Sequence, residues 1–162
     1  MPVSLPPVVD GGCRVLVLGS MPGEVSLRAR QYYAHPRNAF WPIVGELIGF
    51  DPGDDYAARL EFLRGAGVGL WDVLRSCSRA GSLDSAIARD GMVANDFDTL
   101  FTAGPGITRV FFNGAAAARA FHRLVLPPPG VVCRRLPSTS PANAAMGFAE
   151  KLRAWRAIVE VG

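Results

Sequence analysis

The chain has 162 residues and 17.3 kDa, about the size of one ordinary domain, so residues 1–162 are expected to form a single unit with an irregular opening over 1–12. Hydrophobic residues make up 49% and charged residues 19%, enough to bury a core, and no low-complexity polar tract argues for disorder. The net charge of +3 permits an anionic partner, while the lack of any apolar run near the roughly 18–20 residues of a membrane span, and of a basic start with a long apolar run in 1–10, points away from membranes and secretion and toward the cytoplasm.

The first element is the apolar, β-branched run 13–18 (CRVLVL), which ends in Gly19-Ser20-Met21-Pro22-Gly23, the pattern of a buried strand entering a tight turn. Next comes a helix in which Phe40, Val44, Leu47 and Ile48 recur at helical spacing. Asn38 is placed to cap it, Pro42 is tolerated in its first turn and Gly49 ends it. Apolar runs at 68–74, 107–112 and 131–136 read as three further strands, and 76–98, polar and without a sustained period, reads as loop with a short helix. An Ala-rich helix over 115–124 follows Asn113-Gly114. Finally, Ser140 is a plausible cap with Pro141 as first helical residue of a C-terminal helix whose apolar stripe is Phe148, Leu152, Trp155 and Val159. Four buried strands interleaved with helices predict an α/β fold, a three-layer α/β/α sandwich around a four-stranded parallel sheet.

In such sheets ligands bind beyond the carboxyl ends of the strands. The four ends here are Gly19 to Gly23, Trp71-Asp72, Asn113-Gly114 and Pro137-Ser138-Thr139-Ser140, all polar or turn-forming. Hydroxyls and following N–H groups in the Ser138–Ser140 run could hold a phosphate, although capping alone accounts for Ser140. The stretch 31–41 gathers aromatic rings, a histidine and an amide ahead of a helix. Phe40 and Trp41 fit the core, whereas Tyr33 precedes the helix and could cover a planar ligand. His35 fits either a titrating group or a hydrogen-bonded turn residue, and Asn38 either a cap or a catalytic amide. No phosphate-binding GxxxxGK[ST] loop, dinucleotide fingerprint, GxSxG elbow or zinc-ligand spacing is present, so no metal is indicated. Cys13, Cys77 and Cys133 are too few and too scattered for a disulfide framework or a four-cysteine cluster. Of 17 basic residues only Lys151 is a lysine; the arginine excess suits phosphate clamps, but a compositional bias gives the same pattern.

The strand-turn GSMPG (19–23), YYAHPRNAFW (32–41), VFFNG (110–114) and LPSTSPAN (136–143), in this order and spanning the chain, resemble the uracil-DNA glycosylase superfamily, and within it the hypoxanthine-DNA glycosylase family, which GSLDSAI (81–87) also resembles. The mismatch-specific uracil/thymine branch is the nearest neighbour. The resemblance implies a monofunctional glycosylase, monomeric and cofactor-free, that flips a deaminated base, chiefly hypoxanthine, out of DNA and hydrolyses its N-glycosidic bond. It assigns the essential role to Asn38, whose amide oxygen would orient the water. Gly19, Ser20, Met21, Pro22, Gly23, Tyr33, His35, Trp71 and Asn113 would line the base pocket. Ser138, Thr139 and Ser140 would grip phosphate, with Asn143, Arg37, Arg134 and Arg135 as further DNA contacts. Ala142 is too small for the wedge that fills the vacated stack, leaving Asn143 or Met146.

Two departures from the superfamily pattern matter. Met21 stands where an Asp or Asn usually activates water, and Leu136 stands where uracil-specific enzymes carry His. They leave open two alternatives: a uracil or thymine-mismatch glycosylase, and a DNA- or nucleotide-binding module that has lost catalysis. The single lysine, on the predicted C-terminal helix, speaks against Schiff-base strand cleavage.

Overall fold

The computed structural model describes residues 4–76 and 91–160, so Cys77 and the 81–87 motif lie outside the described residues. Strand β1 (Val15–Gly19) is followed by helices α1 (Glu24–Ala29), α2 (Phe40–Ile48) and α3 (Tyr56–Gly65), then β2 (Val68–Asp72). A small hairpin, β3 (Leu74–Ser76) with β4 (Val93–Ala94), precedes α4 (Phe97–Ala103), β5 (Arg109–Asn113), α5 (Ala115–Leu124), β6 (Val132–Leu136) and α6 (Phe148–Trp155), which runs into a 3-10 turn. The central sheet is parallel throughout, in the order β2-β1-β5-β6. This is the predicted four-stranded α/β/α sandwich. The predicted strand 68–74 divides at Val73 because Val73 and Leu74 turn their N–H groups to the carbonyls of Gly19 and Ser20, leaving the sheet and tying the β1 turn to the end of β2.

The two faces of the sheet are covered differently. On one, Phe112 packs on Phe121 of α5, and Phe97 of α4 lies between Phe121 and Trp71. On the other, Phe40 of α2 meets Trp155 of α6 edge-on at 5.8 Å, and Arg109 donates to the carbonyls of Ala157 and Glu160 beyond α6. The α5 helix follows its alanines: Ala117, Ala118 and Ala120 are buried, which lets the backbone approach the strands closely.

The C-terminal helix differs from its prediction. It begins at Phe148 behind Gly147, not at Pro141, because Ser140 spends its hydroxyl on a local turn, accepting from the Ala142 N–H, while Asn143 donates to the Ser138 carbonyl. Its buried face is also rotated from the expected stripe: Lys151 and Trp155, one turn apart, are buried, whereas Phe148 and Val159 are exposed.

The opening segment 4–12 is irregular, yet it is strapped across β2. Val8 exchanges both backbone hydrogen bonds with Leu70, and Leu5 and Val8 are buried. Tyr32 donates to the Pro6 and Leu5 carbonyls, and Trp71 Nε1 donates to that of Leu5. Burial, with the charge of Asp72 adding to it, drives the Tyr32 phenol far above its ordinary value, so it remains a donor. Among the described residues no helix is long and apolar enough to cross a membrane.

Candidate active site

The strands of the sheet end at one level. Gly19 is in register with Asp72, Leu18 with both Trp71 and Phe112, and Asn113 with Leu136. Side chains alternate between faces along a strand, so Asp72, Gly19 and Asn113 stand side by side on the α2/α6 face, while Trp71 and Phe112 belong to the α5 face. The glycine therefore leaves a gap in this row of side chains, a slot into which the polar groups of Asp72 and Tyr33 reach. A Cβ at position 19 would lie 2.5 Å from Asp72 Oδ1 and 3.3 Å from the Tyr33 hydroxyl, so only glycine lets these groups converge there. Asp72 is 3% exposed, and its backbone carbonyl accepts from Asn95 Nδ2.

This parity corrects one expectation. Trp71 lies on the far face, against Phe97 and bonded to Leu5, and cannot line the slot; Asp72 does so instead. The sequence places Trp71-Asp72 at a strand end but does not say which of the two faces the site, because a strand buried on both faces is apolar throughout and gives no alternation from which to read facing. The available signal was Gly19, whose missing side chain at the same level marks where neighbours have room.

The second wall is the turn ahead of α2. Tyr33 adopts φ 55, a left-handed conformation costly for a non-glycine residue, and its ring stacks on Phe40 at 4.0 Å. His35 acts as a turn organiser: its Nδ1 accepts from the Arg37 N–H and its carbonyl from the Asn38 N–H. Asn38 Oδ1 accepts from the Phe40 N–H at 2.9 Å, so Asn38 caps α2 through its first residue, with Ala39 between them. Capping uses one of the two lone pairs on that oxygen and none of the amide protons. Asn38 is half-buried, and the next N–H, that of Ala39, is bonded to the Thr139 carbonyl, which fixes the turn against the β6–α6 loop.

That loop is held from the sheet. Asn113 Nδ2 donates to Thr139 Oγ1 and Asn113 Oδ1 accepts from the Thr139 N–H, both at 2.9 Å and both buried. Asn113 is thus a latch on the loop and not the cap of α5, whose flanking residue is Gly114. Gly114 sits at φ 95, and a Cβ there would come within 3.0 Å of Ser138 Cβ, so this glycine permits the close approach. Ser138 Oγ accepts from the Ser140 N–H and Ser140 Oγ from the Ala142 N–H. The N–H groups expected to bind phosphate are therefore occupied. A hydroxyl that accepts still has its proton to give, and Ser138 and Ser140 keep theirs.

The remaining predicted residues divide. Ser20, Met21 and Pro22 are buried in the turn after β1, and Gly23 flanks α1. Met21 joins the core cluster. Arg37, Arg134 and Arg135 are exposed, but Arg134 and Arg135 alternate on the edge strand β6 and cannot both serve one face. Asn143 is tied to Ser138, and Met146 is half-buried. Burial pushes the Cys13 thiol up to about 11 and also raises that of Cys133, so neither is an activated nucleophile. Among the described residues no cluster of three or more His, Cys, Asp and Glu could hold a metal.

A parallel sandwich whose strand ends gather buried polar groups around a glycine, an aromatic ring and a hydroxyl-bearing turn has the layout of enzymes that take a single base out of a nucleic acid. The sequence profile of the Uracil DNA glycosylase superfamily matches residues 6–159, and the chain belongs to that superfamily. It is 39% identical over 139 residues, 85% of each chain, to proteins named hypoxanthine DNA glycosylase from Methanosarcina barkeri and from Methanosarcina acetivorans. It also resembles the solution NMR structure of a Methanosarcina acetivorans protein described as a candidate uracil DNA glycosylase, with a TM-score of 0.80, 34% identity and 98% of both chains covered.

Proposed function

We propose that the protein is a monofunctional DNA N-glycosylase that extrudes hypoxanthine from deoxyinosine-containing DNA and hydrolyses its glycosidic bond, leaving an abasic site. The observation that carries this reading is the pairing of the slot at Gly19 with Asn38 on the adjacent turn. It puts an acceptor for water and an acceptor for the base edge on two separate, rigid elements. The names of the two Methanosarcina relatives support the substrate.

The flipped base enters between Asp72 and Asn113, with its plane toward the Tyr33 ring. Deamination turns the N1 acceptor of adenine into an N1–H donor and its amino group into a carbonyl. A carboxylate at Asp72 accepts that new N–H and opposes the lone pair of adenine, which is how a buried polar site rejects an undamaged base. Met21 offers no strong acceptor, so water orientation passes to the second lone pair of Asn38 Oδ1. An amide orients the water without taking its proton at neutral pH, which suits a dissociative step: the C–N bond breaks with its electron pair leaving on the base, an oxocarbenium ion develops, water adds to C1′, and the proton that water gives up passes through solvent to the departed base. The hydroxyl protons of Ser138 and Ser140 hold a flanking phosphate. Asn113 positions their loop. Each step of this reading uses groups of this chain and calls for no cofactor, and the reading is of a monomer acting in the cytoplasm.

Incubation with duplexes carrying deoxyinosine, deoxyuridine or deoxyxanthosine, followed by alkali, tests the reading. Strand scission is expected chiefly at deoxyinosine, and absence of scission on all three would refute the enzyme. Preferred scission at deoxyuridine would favour a uracil enzyme, the description attached to the NMR relative.

A further inference from the structure

Lys151, the only lysine of the chain, is 6% exposed on α6, yet its ammonium makes no hydrogen bond or ion pair with any described residue. Long cationic side chains often bury the stem and wet the tip, and here the ammonium retains an opening to solvent. Water reaches the ammonium through that opening, and because no acceptor among the described residues holds it, an anion can take the place of that water.

Its position narrows what that is. Lys151 is one helical turn ahead of Trp155, whose Nε1 donates to the Pro137 carbonyl and whose ring meets Phe40. Side chains on a helix lean toward its N-terminus, so Lys151 is carried from Trp155 toward the loop that feeds α6. That loop holds Ser138 and Ser140 and is bonded to Ala39 beside Asn38. The nearest carboxylate on its own helix, Glu150, is exposed.

We propose that Lys151 is a phosphate-binding residue: its ammonium and the hydroxyl protons of Ser138 and Ser140 together receive one phosphodiester of the DNA beside the extruded nucleotide. This rests on the reading of the strand ends as a DNA site. It gives the unpaired cation its counter-charge only in the complex and adds a charged contact to a turn whose backbone N–H groups are already spent. Lys151 then strengthens binding without touching the glycosidic bond.

The test uses the full chain with K151M, which keeps an unbranched apolar side chain and removes the charge, and K151R, which restores charge. Binding to a duplex with a tetrahydrofuran abasic site is followed by anisotropy across a salt series, beside turnover on deoxyinosine DNA. For K151M the expected result is about a tenfold rise in Kd and KM, kcat within about twofold, an undiminished Tm, and a log Kobs against log salt slope shallower by about one; K151R regains the slope. A K151M protein with the wild-type KM and slope overturns the proposal. Wild-type protein that binds none of these duplexes overturns the DNA reading beneath it.

If K151M fails to fold, acetylation of the wild-type protein decides. Lys151 is read separately from the terminal amine by peptide mass, and saturating DNA should slow its reaction. A Lys151 equally reactive with and without DNA, or unreactive in both because its ammonium is closed to an incoming phosphate, overturns the proposal. So does borohydride trapping of Lys151 on abasic DNA, which would make it a Schiff-base nucleophile.

Discussion

At the scale of single residues, Asn38 carries two duties that substitution separates. Its Oδ1 caps α2 through the Phe40 N–H, and the same oxygen is the proposed water acceptor. Replacing it with Ala removes a cap worth about 1 kcal/mol, a fall in Tm of roughly 2–4 °C for a chain of this size. Removing the water acceptor should cost about 10²-fold or more in kcat. Asn38→Ser divides the two effects, because a shorter hydroxyl can still accept from Phe40 but does not reach the water. Thermal melts should recover with Ser while single-turnover rates on deoxyinosine DNA stay low. Recovery of both together would reduce Asn38 to a cap.

At the scale of elements, α4 shows how local polar chemistry positions the core. Asp96 flanks the helix, accepting from the Thr99 N–H at 3.1 Å and from the Thr99 hydroxyl at 2.6 Å, and the next residue, Phe97, packs between Trp71 and Phe121. Those hydrogen bonds hold the Asp96 carboxyl below its ordinary value. A lowered folded-state value means the stabilisation is complete above the ordinary carboxylate range and is lost as pH falls through the lowered one. Asp96→Ala should therefore melt below the wild type at pH 7, with the deficit shrinking toward pH 3. Asp96→Asn should cap at all pH values. A deficit constant across the range would mean that the carboxylate does not act as this cap.

How much of the fold and site was legible varied with the physics of each element. Strands were found from their apolar runs and α5 from its alanines, because burial on both faces and close packing leave composition as the signal. Ser140-Pro141 carries cap chemistry that serves a turn and so points to too early a start for α6, and only the tertiary position of Trp155 shows where the helix turns inward. The surroundings of Asp72 and Lys151 are hidden in the sequence for one reason. Facing depends on register and helix rotation, and neither is written in a short buried segment.

At the scale of the molecule, the slot is built on a sheet whose outer edge at β2 is closed by residues 4–8. Along this strap run Ser4 N–H to the Arg75 carbonyl, the paired bonds of Val8 with Leu70, and the bonds of Tyr32 and Trp71 to the Leu5 and Pro6 carbonyls. Removing residues 2–9 would uncover the β2 edge and strip Leu5 and Val8 from the core, about 1.5–3 kcal/mol each. It would also leave the Tyr32 and Trp71 donors unpaired at about 1–3 kcal/mol apiece unless water reaches them. Against a total stability of about 5–15 kcal/mol, that is most of what holds the domain. The truncated protein is expected to melt at least about 10 °C below the full chain, at about 2–4 °C per kcal/mol. Because Trp71 and Asp72 are consecutive on β2, its activity should fall before the sheet itself melts. Melting followed by far-ultraviolet circular dichroism, beside deoxyinosine cleavage at rising temperature, measures both. A truncated chain that melts and cleaves like the full one would make the strap a passenger on a sheet already complete.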